Sequence, residues 1–459
     1  MEHEGDGNGS RLPVGTKLGF GVADLGGNLF FTALGFYALK YLTDTVGIAA
    51  AAAGAVLMTG KLVDALWDPI VGQLSDRTRT RWGRRRPFLF FGSIPLALAM
   101  WWFFSNPHLA AAGARLLWAL VAFILLNMSY SLVNIPYSSL TPELTTDYHE
   151  RSSLNGFRFM FAVVGTILGA VAVGPILAAF GGAGSGDKSL GFSMVGLIFG
   201  AVMLASSMIT AAVVREPRHE AEEREGGSFL ATYLSVFRNG PFVIILVAYA
   251  LNLMGLTFLQ SAITYYFSYI YHNEGLQTVA MGILLLTAMA SIPVSVIVSR
   301  RLGKKAAWQI CFFVLATSSL ALYFLGHVLG PTFFLCMMVY SGIGVGFGYV
   351  APYAMVPDTI EVDAIRNGRR REGAFYGMWL LTSKVGQALA ILLTGLVLAL
   401  GHYVANVEQL ASAKLAIRFL VGPIPAVVLL LATILVHFYP LDEKAYMSIL
   451  AEGRPAGGE

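Results

Sequence analysis

The sequence predicts an all-α membrane protein with twelve transmembrane helices in two six-helix bundles. Three observations predict it: an extreme apolar composition, twelve apolar runs of spanning length, and a motif that recurs once in each half.

Of the 459 residues, 56% are hydrophobic and 13% charged, with a mean hydropathy of +0.66. Soluble domains hold about a quarter charged residues, so water is the wrong solvent for this chain. The net charge is +4, and no basic stripe interleaved with aromatics suggests a nucleic-acid partner. Cys311 and Cys336 lie in apolar runs without metal-ligand or disulfide spacing. Residues 1–16 are acidic and Gly-rich with no apolar core, and read as a disordered cytoplasmic tail.

The first bundle, 17–214, is assembled from runs at 18–41, 50–74, 88–104, 116–139, 156–180 and 192–214. The first run carries polar Asp24 and Asn28 in its first half, and the second is Ala-rich at its start. The third follows Pro87 and an arginine-rich loop, the fourth closes on Pro142, and the fifth contains close-packing Gly165 and Gly169. The sixth ends where the longest charged stretch of the chain begins, and 215–236 reads as a cytoplasmic linker. The second bundle, 237–440, repeats the plan with runs at 241–270, 280–298, 306–325, 332–355, 374–400 and 415–438, leaving 441–459 as a C-terminal tail.

Charge sets the orientation. Alternate loops hold Arg77, Arg79, Arg81 and Arg84 to Arg86, then Arg300, Arg301, Lys304 and Lys305, then Arg366 and Arg369 to Arg371. The opposite loops offer Arg115, Lys188 and Lys414. Short basic loops stay cytoplasmic, so an even number of spans puts both termini inside. The halves also share a motif: Pro136-Tyr137 followed by Pro142-Glu143 at the cytoplasmic end of the fourth run, and Pro352-Tyr353 followed by Pro357-Asp358 at the end of the tenth. Repeated six-span halves are a transporter architecture.

A charge at the bilayer centre costs about 2.5–3.5 kcal/mol on insertion scales, so each intramembrane ion invites a functional reading. Asp64 and Asp68 stand at i and i+4, on one helix face. Two carboxylates so close need a cation between them or a proton on one, and either binds a coupling ion, Na⁺ or H⁺. The competing reading places them near the cytoplasmic end, paired with Arg77 or Lys61. Lys384 sits amid apolar residues and wants an acidic partner, unless it snorkels to the interface.

Asp24, Asn28, Asn134 and Arg158 are candidate substrate contacts, with Trp379 as an aromatic face for a sugar ring, although interhelical hydrogen bonding would equally explain the polar candidates other than Arg158, Asp24 included. Arg158 could instead pair with Glu143 or Asp147 near the interface. Asp76, Arg77 and Arg84 would form a cytoplasmic gate network with Asp358 and Arg370 as its counterpart, while plain positive-inside anchoring also accounts for the arginines. No catalytic triad, metal cluster or Walker loop is present in the sequence, so neither an enzyme nor a cofactor beyond the coupling ion is expected.

With Asp64-Ala-Leu-Trp67-Asp68-Pro69, the run from Ser75-Asp76-Arg77 to Trp82-Gly83-Arg84, Asn134-Ile-Pro136-Tyr137, Glu150-Arg151, Arg158, Pro357-Asp358 and Lys384 in view, the chain resembles the glycoside-pentoside-hexuronide:cation symporters of the major facilitator superfamily, the melibiose-permease-like family. The resemblance runs nearly end to end. It implies a major facilitator fold working by alternating access, with Asp64 and Asp68 ligating the cation, Ser131 as a hydroxyl ligand and Lys384 nearby as charge partner. Trp67, Asn28 and Ser138 depart from the asparagine, aspartate and tryptophan that sugar-transporting members can have there. The expected protein is therefore a cation-coupled symporter of a small solute, a sugar or glycoside first, in the cytoplasmic membrane. Its expected partners are that solute and membrane lipid, and its expected state is a monomer. A lysolipid symporter of the same family and a transport-dead sensor or scaffold are the alternatives.

Overall fold

The computed structural model describes residues 12–145, 147–181, 187–216, 235–367, 372–441 and 445–449. Their regular elements are helices: α1 Val14–Lys40, α2 Ala50–Arg77, α3 Arg86–Phe103, α4 Ala112–Leu144, α5 Tyr148–Val171, α6 Val173–Phe180 and α7 Ser189–Val213, then α8 Gly240–Tyr269, α9 Glu274–Leu302, α10 Lys304–Ala321, α11 His327–Asn367, α12 Glu372–Leu400, α13 Ala411–Val421 and α14 Pro423–His437.

Among the described residues, eleven continuous helical stretches are long and apolar enough to cross a membrane. The longest, Lys304–Ile365, has 62 residues, more than twice what a bilayer needs. It breaks at Gly330, whose φ of 76° and ψ of −169° no helix tolerates, and Pro331 follows. That break yields the expected twelve crossings. α5 with α6 makes one crossing, and α13 with α14 another.

α1 starts at Val14, inside the segment expected to be a tail. Pro13 supplies the reason: its carbonyl accepts from the amides of Thr16 and Lys17 at 2.9 and 3.1 Å, and Lys17 Nζ is tied to Glu150 at 2.8 Å. Residues 1–11 and most of the expected linker lie outside the described residues. Side-chain caps start several helices, with Asp147 accepting from Glu150 N at 2.7 Å and Asn239 from Phe242 N at 3.0 Å.

The chain divides into two compact units, and the division does not follow chain order. The first holds Met1–Leu34 and Val63–Glu222; the second holds Gly35–Leu62 and Glu223–Glu459. α1 therefore passes from the first unit to the second at Gly35, and α2 returns at Val63. In the first unit α5 lies on α1 so closely that a Cβ on Gly165 would stand 2.2 Å from the Leu25 carbonyl oxygen. In the second, α11 meets α9 at Gly346, where a Cβ would stand 2.4 Å from the Ala288 carbonyl oxygen. These are the small-residue contacts that membrane helices use to gain dispersion where no hydrophobic force drives them together. The second unit's core is aromatic, built on Phe242, Trp308, Phe312, Phe375 and Trp379.

Candidate functional site

The first unit joins the two carboxylates of α2 to α4. Ser131 Oγ stands 2.6 Å from Asp64 Oδ1 and 2.7 Å from Asp68 Oδ1. Asp64 is 5% exposed and Ser131 2%. One helical turn separates the acids, so both reach a single hydroxyl on the neighbouring helix. Pro69 removes the N–H that would otherwise bond the Ala65 carbonyl, which loosens α2 beside the pair. Arg77 is exposed, and Lys61 donates to Gln387 Oε1 at 3.2 Å.

A second polar centre joins α1, α4 and α5. Arg158 Nε donates to Asp24 Oδ2 at 2.7 Å and to the Tyr137 hydroxyl at 3.1 Å, and Nη1 donates to Thr141 Oγ1 at 2.8 Å. Tyr137 donates to the same Asp24 oxygen at 2.5 Å. The guanidinium lies over the Tyr137 and Phe20 rings, 4.8 and 5.7 Å from their centroids. Arg158 thus takes Asp24 as its partner, not Glu143 or Asp147, because α5 packs against α1 through Gly165. Asn28 Nδ2 donates to the Asp24 backbone carbonyl at 2.9 Å, and Asn134 is half-buried on α4. Tyr137 was not singled out as a contact residue, although the recurring Pro-Tyr pair pointed at it.

At the end of the first unit where α2 leads into α3, Glu143 accepts from Arg84 Nη2 and Arg85 Nη2, both at 2.6 Å, and Arg85 Nη2 also reaches Asp76 at 3.1 Å. Asp76 and Arg84 of the expected gate therefore share one network, joined through Arg85 and Glu143. Glu216, which sequence reading left in the linker, accepts from the backbone amides of Arg84, Arg85 and Arg86 at 2.6, 2.7 and 2.6 Å. These amides open α3, where the helix dipole and unpaired N–H groups favour an anion. The distance of 130 residues or more along the chain hid that contact.

In the second unit Asp358 accepts from Lys304 Nζ at 2.6 Å. Arg370 lies outside the described residues. Lys384 is half-buried on α12. Trp379 is 2% exposed and stacks on Tyr249 with centroids 4.1 Å apart, while Tyr353, bonded through its hydroxyl to Tyr249 at 3.0 Å, is 54% exposed. Tyr353 is thus the accessible ring of that trio, and Trp379 supports it from behind.

The second unit also carries a polar network that the sequence reading did not assign. Lys40 Nζ donates to Glu274 Oε1 at 3.0 Å and to Ser268. Asp44 accepts from Tyr269 at 2.8 Å, from Thr43 at 2.7 Å and from Tyr403, while its backbone carbonyl accepts from Asn406 Nδ2 at 2.6 Å. Burial, and then the neighbouring Asp44 carboxylate, push the Tyr403 phenol far above its ordinary range.

Among the described residues no group of three or more His, Cys, Asp or Glu side chains is arranged to hold a metal ion.

A family model described as MFS/sugar transport protein matches residues 19–443. The isoprimeverose transporter of Lactiplantibacillus pentosus is 30% identical over 94% of this chain and 90% of its own. The glucuronide carrier protein homolog of Escherichia coli K12 is 30% identical over 95% of this chain and 94% of its own. Among solved structures, a D-xylose-proton symporter superposes with a TM-score of 0.66 at 15% identity, covering 92% of this chain and 98% of that one.

Proposed function

The chain belongs to the MFS/sugar transport protein family, a family of membrane transporters with the major facilitator fold, and from that premise we propose that it is a cation-coupled sugar symporter working by alternating access. One observation carries the coupling: a single buried hydroxyl, Ser131, within 2.7 Å of two carboxylates. A hydroxyl has one proton and completes one such hydrogen bond as donor. The other contact is completed when the second carboxyl is protonated and donates to Ser131, or when a cation lies among the three oxygens. Hard carboxylate and hydroxyl oxygens suit Na⁺, and the same atoms serve H⁺. The ion is cargo, bound and released in each cycle.

The relatives' names support a sugar as the second cargo, since one is an isoprimeverose transporter and another a glucuronide carrier protein homolog. Asn28, Asn134 and the Asp24–Arg158 pair offer the donors and acceptors a polyhydroxylated solute needs. The basic loops favour a cytoplasmic membrane location with both termini inside.

Counterflow of radiolabelled sugars into liposomes containing the purified protein tests the proposal across Na⁺ concentration and pH. Uptake that rises with Na⁺ or with proton concentration, and that loses this dependence in Asp64→Asn and Asp68→Asn, is the expected result. Sugar uptake indifferent to both cations, or to both substitutions, refutes the coupling.

A further inference from the structure

We infer that the turn 79–82 and the outward face of α3 form a binding surface for an anionic phospholipid, its phosphate held by Arg79 and Arg81 and its acyl chains laid along Phe91. The inference uses only the membrane placement of the chain, and none of its outcomes depends on which solute is carried.

The loop that joins α2 to α3 holds two sets of arginines. Arg84 and Arg85 are bonded to Glu143, and Arg85 also to Asp76; Arg86 Nε donates to the Ala211 carbonyl at 2.9 Å, and Glu216 sits on the amides of all three. Three acids thus balance three arginines in charge. Arg77, Arg79 and Arg81 are exposed, and no acid among the described residues pairs with Arg79 or Arg81. The positive charge left over is on the outside of the loop.

The turn that carries it is fixed from both sides. Thr80 Oγ1 donates to the Gly83 carbonyl at 2.6 Å and accepts from the Trp82 amide at 3.2 Å, while the Gly83 amide donates to the Thr80 carbonyl at 3.1 Å. Beyond it, Glu216 holds the next three amides. Trp82 is 40% exposed and stacks on Phe91, itself 56% exposed, with centroids 5.8 Å and planes 5° apart. The Arg81 guanidinium stands 5.9 Å from the centroid of the Trp82 ring.

α3 packs on α4 and α7, which leaves Phe91, Ile94 and Leu98, at i, i+3 and i+7, exposed as one strip. Such a strip belongs among acyl chains, and a tryptophan at its basic end belongs at headgroup level. A guanidinium at that level meets lipid phosphate, and each basic residue near an anionic surface strengthens binding about fivefold. Plain positive-inside anchoring asks for neither the turn nor the rings. Arg300 and Arg301 illustrate it, since they are exposed at the end of α9 and no aromatic ring among the described residues lies under either.

The test is native mass spectrometry of the purified full chain, titrated in detergent with phosphatidylglycerol or with phosphatidylcholine of identical acyl chains. Wild type is expected to bind the first phosphatidylglycerol at least about tenfold more tightly than phosphatidylcholine. Arg79→Gln combined with Arg81→Gln should reduce that preference to about twofold or less. Trp82→Ala should lower it about threefold by removing the seat of Arg81. Arg300→Gln combined with Arg301→Gln should leave it unchanged. Equal affinities in wild type overturn the inference, as does an undiminished preference without Arg79 and Arg81. An equal loss on replacing Arg300 and Arg301 also overturns it, because the preference would then belong to basic surface in general. Wild type is measured without any variant, so equal affinities refute the surface even where a variant fails to fold.

Discussion

Lys304 and Asp358 form an ion pair of 2.6 Å in the second unit, joining the start of α10 to α11. In the first unit Glu143, at the corresponding place in the repeated motif, joins α4 to Arg84 and Arg85. Each unit thus uses the acid after its Pro-Tyr motif to hold the basic loop that follows its second crossing. The two joints differ in strength. Arg85 is 8% exposed and Glu143 18%, whereas Lys304 is 41% exposed. Exposed pairs contribute about 0–1 kcal/mol, while removing one partner of a buried pair costs about 3–5 kcal/mol. Glu143→Gln should therefore lower the thermal unfolding temperature in detergent more than Asp358→Asn does.

Glu216 is expected to behave as a helix cap supplied from a distant part of the chain. Glu216→Ala leaves three amides at the head of α3 without their acceptor and should cost about 1–2 kcal/mol, measured by denaturant or thermal unfolding. Gly83→Ala should cause a similar loss, because residue 83 has φ +107° and its Cβ would stand 2.6 Å from the Glu216 carboxylate. Since the two changes act on one contact, the double variant should lose less than the sum of the two.

Ser131→Ala removes the hydroxyl from the carboxylate pair but leaves both acids in place. Counterflow should persist, with the cation concentration for half-maximal rate raised by about tenfold, in keeping with the loss of one charge-assisted hydrogen bond or ligand. Ser131→Thr, which keeps the oxygen, should lie between Ala and wild type. A Ser131→Ala carrier with wild-type cation dependence would remove the hydroxyl from the coupling site.

Tyr403 gives a prediction for alkaline pH. Its phenol has a raised pKa in the folded chain, from burial first and Asp44 second, against about 10 when unfolded. A raised value means that the neutral form is the one folding favours. Its contribution is complete below about pH 10 and declines above it, as the unfolded state gains by losing the proton. Tyr403→Phe should flatten the loss of stability between about pH 10 and 12, followed by thermal unfolding. It should also delete one phenol that resists ionisation in a spectrophotometric titration.

Much of the fold was legible in the sequence because the bilayer constrains it so tightly. Apolar runs near 20 residues, basic loops on one side and a recurring Pro-Tyr motif sufficed for twelve crossings in repeated halves, since backbone groups in lipid must bond within their own helix. Gly330 with Pro331 even marks where the longest helical stretch breaks. The i, i+4 spacing of Asp64 and Asp68 was equally plain, because neighbours along a helix follow from its pitch.

The sequence by itself therefore determined the class, the crossings and the shared face on which Asp64 and Asp68 stand, all of them local consequences of composition and helical period. Only the tertiary structure decided that Arg158 closes on Asp24, that Glu216 heads α3, that Trp379 lies behind Tyr249 and Tyr353, and that Lys40 and Asp44 have partners more than 200 residues away. Those pairings depend on which helix faces meet, and in a membrane protein nearly every face is apolar. Helix contacts are chosen by small residues and by the few polar groups that must find one another, and pattern along a single helix does not encode that choice.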